Sequence, residues 1–301
     1  VESVKLAARL AACLVAGALV GCGGGGGDGW TPGPDPDGDT TSAVWTGGAP
    51  KTAACKRGLA WPGRSATAPA LSGGISWWYN WSPRHEASAP GVEFAPMVWG
   101  TKDLPVEKAV DAIGDGAKFL LGFNEPNFMS QANLSAKAAA ELWPQVEEVA
   151  SRKGLALVSP AVNYCGDDRA KTGPCHDTNP VDYLREFFQR CSGCRVDYVA
   201  VHWYNCDGAS LRDYVAKFKV FNRPIWITEL ACAYGGDTSV AGQEAYLREA
   251  VPILDADPDV FRYAWFSANA IPNARLLDDA GAPTPLGQVY LDLPQGAGCG
   301  P

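Results

Sequence analysis

From residue 55 onward, short apolar runs alternate with longer mixed segments. Eight runs read as strands: a weak one at Gly58–Trp61, then Ile75–Trp81, Glu93–Trp99, Phe119–Glu125, Leu155–Val162, Val196–Tyr204, Pro224–Glu229 and Arg262–Phe266. Several are apolar almost throughout, as strands buried on both faces must be. Between them, Ser135–Ser151, Pro180–Gln189, Gly208–Phe218 and Ser239–Asp255 carry helical periodicity, with Ser135 as an N-cap. Strand and helix in alternation imply a parallel sheet. Eight repeats predict a closed α/β fold, the (β/α)8 TIM barrel, whose usual size is roughly 250 residues. The early units are compressed, and Arg84–Gly91 is too short and proline-broken for a full helix. One or two helices are therefore expected to be shortened or missing.

The first 54 residues follow other rules. Residues 1–21 have a basic start at Lys5 and Arg9, then an apolar run from Leu10 to Val20, the pattern of a signal peptide. The run ends in Leu19-Val20-Gly21-Cys22, which is similar to a bacterial lipobox, with Cys22 as the lipidation site. Residues 22–54 are rich in Gly, Pro and Asp, bury too little apolar surface to fold, and read as a flexible tether. Residues 55–301 are then one catalytic-sized domain. The expected product is an exported chain, lipid-anchored at the cell surface or outer membrane, or secreted, that meets the membrane only through its anchor.

The formal charge is −8 and basic patches are absent, which argues against a nucleic-acid partner. Eight cysteines lie beyond Cys22, an even number that suits disulfides in an oxidising compartment. The expected pairs are Cys55–Cys299, Cys165–Cys175, Cys191–Cys194 and Cys206–Cys232. The rival reading of Cys191-Ser-Gly-Cys194 as half a zinc site or a redox pair lacks a second such motif.

In a barrel of this kind, chemistry collects at the C-terminal strand ends. The fourth run ends in Asn124-Glu125-Pro126 and the seventh in Thr228-Glu229. Alone, either glutamate could be a surface residue or an ion-pair partner. Together they suit glycosidic cleavage, in which one carboxyl protonates the leaving oxygen and the other attacks the anomeric carbon. That chemistry needs no cofactor and no metal. The chain has eleven Trp against two Met. Trp77, Trp78, Trp81, Trp99, Trp203 and Trp265, with Tyr79, fall at or near strand ends, where aromatic faces can stack on β-linked sugars. Alternation puts Trp77 and Tyr79 on one side of their strand and Trp78 and Asn80 on the other.

Six stretches in order carry a specific resemblance: Lys56–Ala60, Ser76–Trp81, Phe94–Trp99, Gly122–Asn127, His202–Tyr204 and Trp226–Glu229. They resemble glycoside hydrolase family 128, β-1,3-glucanases of the retaining (β/α)8-barrel clan. The resemblance implies an endo-acting enzyme that hydrolyses β-1,3-glucan by double displacement, working as a monomer. It implies Glu125 as general acid/base and Glu229 as nucleophile. It also implies Asn124 on the sugar 2-hydroxyl, Tyr204 and His202 in the nucleophile's hydrogen-bond network, and Trp265 beneath the central subsite. Exo action or another β-glucan remains open at this point, as does a non-catalytic glucan-binding surface lipoprotein.

Overall fold

The computed structural model describes residues 50, 53, 55–62, 68–85, 91–166, 173–267 and 271–295. The expected signal peptide, nearly all of the tether, the lipidation site Cys22 and Cys299 lie outside them. Among the described residues, no helix is long and apolar enough to cross a membrane. Eight strands run Arg57–Ala60 (β1), Trp77–Tyr79 (β2), Glu93–Phe94 (β3), Phe119–Leu121 (β4), Ala156–Val162 (β5), Tyr198–Asn205 (β6), Ile225–Tyr234 (β7) and Val260–Phe266 (β8). All pairings are parallel, in the order β3-β2-β1-β8-β7-β6-β5-β4. The ring closes where the Val98 N–H donates to Leu121 and the Leu121 N–H donates to Pro96, at 3.0 and 2.8 Å. The fold is thus a (β/α)8 barrel, with all eight expected strands present.

The helices Val106–Ala112 (α1), Ala136–Lys153 (α2), Pro180–Arg190 (α3), Gly208–Phe218 (α4), Val240–Ala256 (α5) and Pro285–Asp292 (α6) wrap the sheet. Among the described residues, a single 3-10 turn at Ala68–Leu71 follows β1 and no helix follows β2, which is the compression the sequence predicts. Helix α2 starts at the expected cap, where the Ser135 hydroxyl accepts from the Ala138 N–H, and stops at Gly154 in a left-handed conformation. Asp207, Ser239 and Thr284 cap α4, α5 and α6 in the same way. The short helices α1 and α6 escape a periodicity reading because seven or eight residues hold barely two turns. Three expected disulfides form: Cys165–Cys175, Cys191–Cys194 and Cys206–Cys232. Cys55 is also disulfide-bonded.

Strand alternation divides the tryptophans, and it overturns three expected sugar contacts. Trp77 does point inward, but into the bottom of the barrel. It is 0% exposed, packs edge-on to Trp226 and donates its indole N–H to the Lys56 carbonyl. Gly58 makes its room, since a Cβ there would sit 2.3 Å from the indole nitrogen. Trp78 points outward against Phe94 and His85. Trp265, also 0% exposed, faces the helices, with Tyr246 and Tyr290 beside it and its N–H on the Ala274 carbonyl. Its neighbour Phe266 takes the inward place, edge-on to both Trp81 and Tyr204.

The barrel bottom is closed by aromatics around one cation. Arg262 lies 4.7 Å from the Phe119 ring centroid and 5.0 Å from that of Trp226, and binds Glu93 through two 3.0 Å hydrogen bonds. Removing one member of a buried pair strands the other charge. Arg262→Ala is therefore expected to lower stability by about 3 kcal/mol, read by chemical denaturation. A loss too small to measure would mean the pair is structurally idle.

Candidate active site

Three strands bring their ends together over this floor. After β4, the Asn124 N–H donates to Trp99 and the Glu125 N–H to Ala161, so both residues are locked across to neighbouring strands. Glu125 takes a left-handed conformation, φ +39°, which costs a non-glycine residue strain and turns its carboxyl into the mouth. Its Oε1 accepts from Asn163 Nδ2 at 3.1 Å and lies 2.9 Å from His202 Nδ1.

On β7 the alternation would send Glu229 outward. The pairing with β6 steps from Val201↔Ile227 to His202↔Glu229, so β7 carries one extra residue there. Such a bulge re-aims a side chain, and here it turns Glu229 inward. Three donors meet its carboxylate: Trp81 Nε1 at 2.7 Å, the Tyr79 hydroxyl at 3.3 Å and the Tyr204 hydroxyl in a short contact. Trp81 reaches it from its own left-handed backbone, φ +59°. His202 Nδ1 lies 3.4 Å from Glu229 as well as beside Glu125. One oxygen of each carboxylate and a ring nitrogen of His202 all fall within 4.8 Å of one another. The trio is close enough to surround a cation, but the contacts it makes are those of a proton-sharing cluster.

Burial sets the electrostatics. It pushes the Glu229 carboxyl up; His202 pulls it down, Glu125 adds to the rise, and the Tyr204 and Trp81 donors pull it back, with a raised pKa as the net. For His202 burial opposes the charge, but Glu229 and Glu125 outweigh it and leave the imidazole raised. Burial and the Glu229 charge hold Tyr79 and Tyr204 well above the ordinary phenol range, so both remain donors.

Of the residues expected here, Glu125, Glu229, Asn124, Tyr79, Trp81, His202 and Tyr204 come together. Tyr79 is fully buried, so its contact is the carboxylate and not a sugar face. Trp99 stands at the rim, where the Lys102 ammonium covers one ring face at 3.9 Å from the centroid. Two residues were missed. Asn163 closes the fifth apolar run just as Glu125 closes the fourth, a signal that was present. Phe266 stands one residue beyond Trp265, the residue that the resemblance implies beneath the sugar, and it is Phe266 that faces inward.

A family model described as glycosyl hydrolase catalytic core matches residues 58–290. The chain is similar to a subgroup II endo-β-1,3-glucanase of glycoside hydrolase family 128 from Sorangium cellulosum, with 43% identity and a TM-score of 0.73 over 81% of this chain and 100% of that one. A subgroup I endo-β-1,3-glucanase of the same family from Amycolatopsis mediterranei, in complex with laminaritriose, matches at 30% identity and a TM-score of 0.64, over 79% and 98% of the two chains. Alkali-sensitive linkage protein 1 of Schizosaccharomyces pombe is 29% identical over 251 residues, which is 78% of this chain and 44% of that protein. The chain thus spans less than half the length of this curated relative.

A raised carboxyl pKa means that the folded state binds the proton more tightly than the unfolded one. Stability attached to Glu229 is then full below its ordinary value of 4.5 and is lost as pH rises through the folded value. Glu229→Gln is expected to melt higher than the parent at neutral pH, with the gap closing under acid. A variant melting lower at neutral pH would contradict this balance.

Proposed function

Because this chain belongs to glycoside hydrolase family 128 and to the glycosyl hydrolase catalytic core, we propose that it is a retaining endo-β-1,3-glucanase using Glu125 as general acid/base and Glu229 as nucleophile. The observation that carries this reading is that one oxygen of each carboxylate lies within 4.8 Å of the other, with the Glu229 carboxylate gripped by three donors. Retaining enzymes keep their carboxyls roughly 5–5.5 Å apart, whereas inverting ones leave room for a water at roughly 6.5–9.5 Å.

In the first step Glu125 gives its proton to the glycosidic oxygen as that oxygen leaves the anomeric carbon. Glu229 attacks the same carbon and forms a covalent glycosyl ester. The new Glu125 carboxylate is met by Asn163 and His202, which lie ready before the proton departs. In the second step Glu125 takes a proton from water, the hydroxide oxygen bonds the anomeric carbon, and Glu229 leaves as a carboxylate. Trp81, Tyr79 and Tyr204 favour the ionised form, partly offsetting its burial, and fix its aim. Asn124 is suited to the sugar 2-hydroxyl, since its Oδ1 has no partner among the described residues.

The reading is tested by products and variants together. Linear β-1,3-glucan should yield short oligosaccharides early, while cellulose is left intact. Glu229→Gly should lose hydrolysis and keep glucan binding; Glu125→Ala should slow substrates with poor leaving groups most. Near-normal rates in both variants would remove the assignment, and binding without cleavage by the parent would make this a glucan-binding protein.

The location is proposed separately. Disulfides suit an oxidising compartment outside the cytoplasm. Leu19-Val20-Gly21-Cys22 supports lipidation at Cys22, with residues 22–54 as the spacer that lets a tethered barrel reach polymer. Cys22→Ala should move the protein from the membrane fraction to the soluble one; an unchanged distribution would rule out the anchor.

A further inference from the structure

Beyond the bulge that turns Glu229 inward, the pairing of β6 with β7 breaks a second time. The strands pair at Trp203↔Leu230 and next at Asn205↔Tyr234, so Tyr204 alone faces Ala231, Cys232 and Ala233. The ladder is thus interrupted at Tyr204, the residue whose hydroxyl makes the short contact with the Glu229 carboxylate. Backbone pairing does not hold the two strands together at the place where that contact depends on it.

Among the described residues, two links span the gap. The first is the Cys206–Cys232 disulfide, just beyond Tyr204, where the Cys206 N–H also donates to the Tyr234 carbonyl at 2.9 Å. The second comes from the helical layer. Gln243, in the first turn of α5, is 0% exposed, and both ends of its amide meet one residue. Its Oε1 accepts from the Cys232 N–H at 3.3 Å, and its Nε2 donates to the Cys232 carbonyl in a short contact. A side-chain amide carries the same kinds of donor and acceptor as a peptide group. Gln243 therefore takes the place of the strand neighbour that the interrupted ladder does not supply. Gly242 permits the approach: a Cβ there would lie 1.9 Å from the Asp237 carbonyl oxygen, so the start of α5 is pressed onto the turn after β7. A buried amide is costly unless its ends are bonded, and here both go to the backbone of β7.

We propose that Gln243 is a positioning residue of the active site, which acts through Cys232 and its disulfide to hold β7 where Tyr204 meets Glu229. The inference rests on the role of nucleophile given above to Glu229. Gln243 is fully buried between helix and sheet, so it acts on the reaction through the strand and not by touching a sugar. The groups that face Glu229 are Glu125, His202, Tyr79, Tyr204 and Trp81, and of these Tyr204 stands in the gap. A displacement of about 1 Å at a reacting group can cost roughly a hundredfold in rate, so the effect falls on the chemical step and not on binding.

Gln243→Met keeps the bulk of the side chain and removes both bonds. It should lower kcat on linear β-1,3-glucan by roughly tenfold or more, with KM within about twofold of the parent. Tyr204 favours the ionised form of Glu229, so its loss should also move the acid limb of the pH–rate profile to higher pH. Cys206→Ala combined with Cys232→Ala should do the same, and it carries the test if Gln243→Met does not fold. Cys191→Ala combined with Cys194→Ala, at the turn between α3 and β6, is the control and should leave both kcat and the limb unchanged. An unchanged kcat in the first two variants, a loss shared by the control, or a loss with the limb unmoved would overturn the positioning role and leave the catalytic reading intact. A parent that cleaves no β-1,3-glucan would overturn the catalytic reading instead. The positioning is then decided by following the Glu229 carboxyl by carbon NMR: a titration that does not move up in the variants would overturn it.

Discussion

The extra residue in β7 puts Glu229 on the inner side of a strand whose alternation would have turned it toward the helices. Much of the upper barrel answers to that one displacement. A carboxylate carried into a buried place must be met by donors, or it will take up a proton. Trp81 adopts a left-handed backbone to bring its indole there, Tyr79 rises from the layer below, and Tyr204 comes across from β6. His202 then stands between the two acids and links their protonation. The donors only partly offset burial, which leaves the pocket as a locally unfavourable arrangement that the rest of the barrel must hold in place.

The aromatic residues supply that hold in two tiers. Below, Trp77, Phe119, Tyr198, Trp226 and Phe261 pack around Arg262 and close the barrel from beneath. Outside, Trp143, Trp203 and Trp265 fill the space between sheet and helices. Large rings leave few soft gaps, and this rigidity suits a site whose groups must not drift. Among the described residues the wealth of tryptophan is therefore mostly a matter of packing, with the Trp81 indole reaching the Glu229 carboxylate.

This division also explains what could be read from the sequence. The eight strands were legible because buried parallel strands are apolar on both faces, and Glu125 and Glu229 were legible because a carboxylate ending such a run has no packing reason to be there. The directions of side chains were harder. The resemblance implied Trp265 where Phe266 takes the inward place, and Trp77 points inward but low in the barrel, a depth that a period of two does not encode. The bulge itself left no mark in composition, since Thr228 and Glu229 look like any strand end. Asn163 was readable by the same rule as Glu125, but a neutral amide draws less attention than a charge.

Of the three disulfides with both cysteines described, two lie beyond the strands' catalytic ends, and none ties the floor to the helices. Cys165–Cys175 spans the loop after β5, and Cys206–Cys232 joins the ends of β6 and β7. The aromatic floor and the hydrogen-bonded ring do not need them. A chain synthesised where thiols stay reduced would therefore complete its barrel and give the far-ultraviolet spectrum of a folded protein while its rim stayed slack. Material of that kind would be well behaved, homogeneous and poor at its work, and its shortfall would record the redox history of the preparation, not the quality of the sequence.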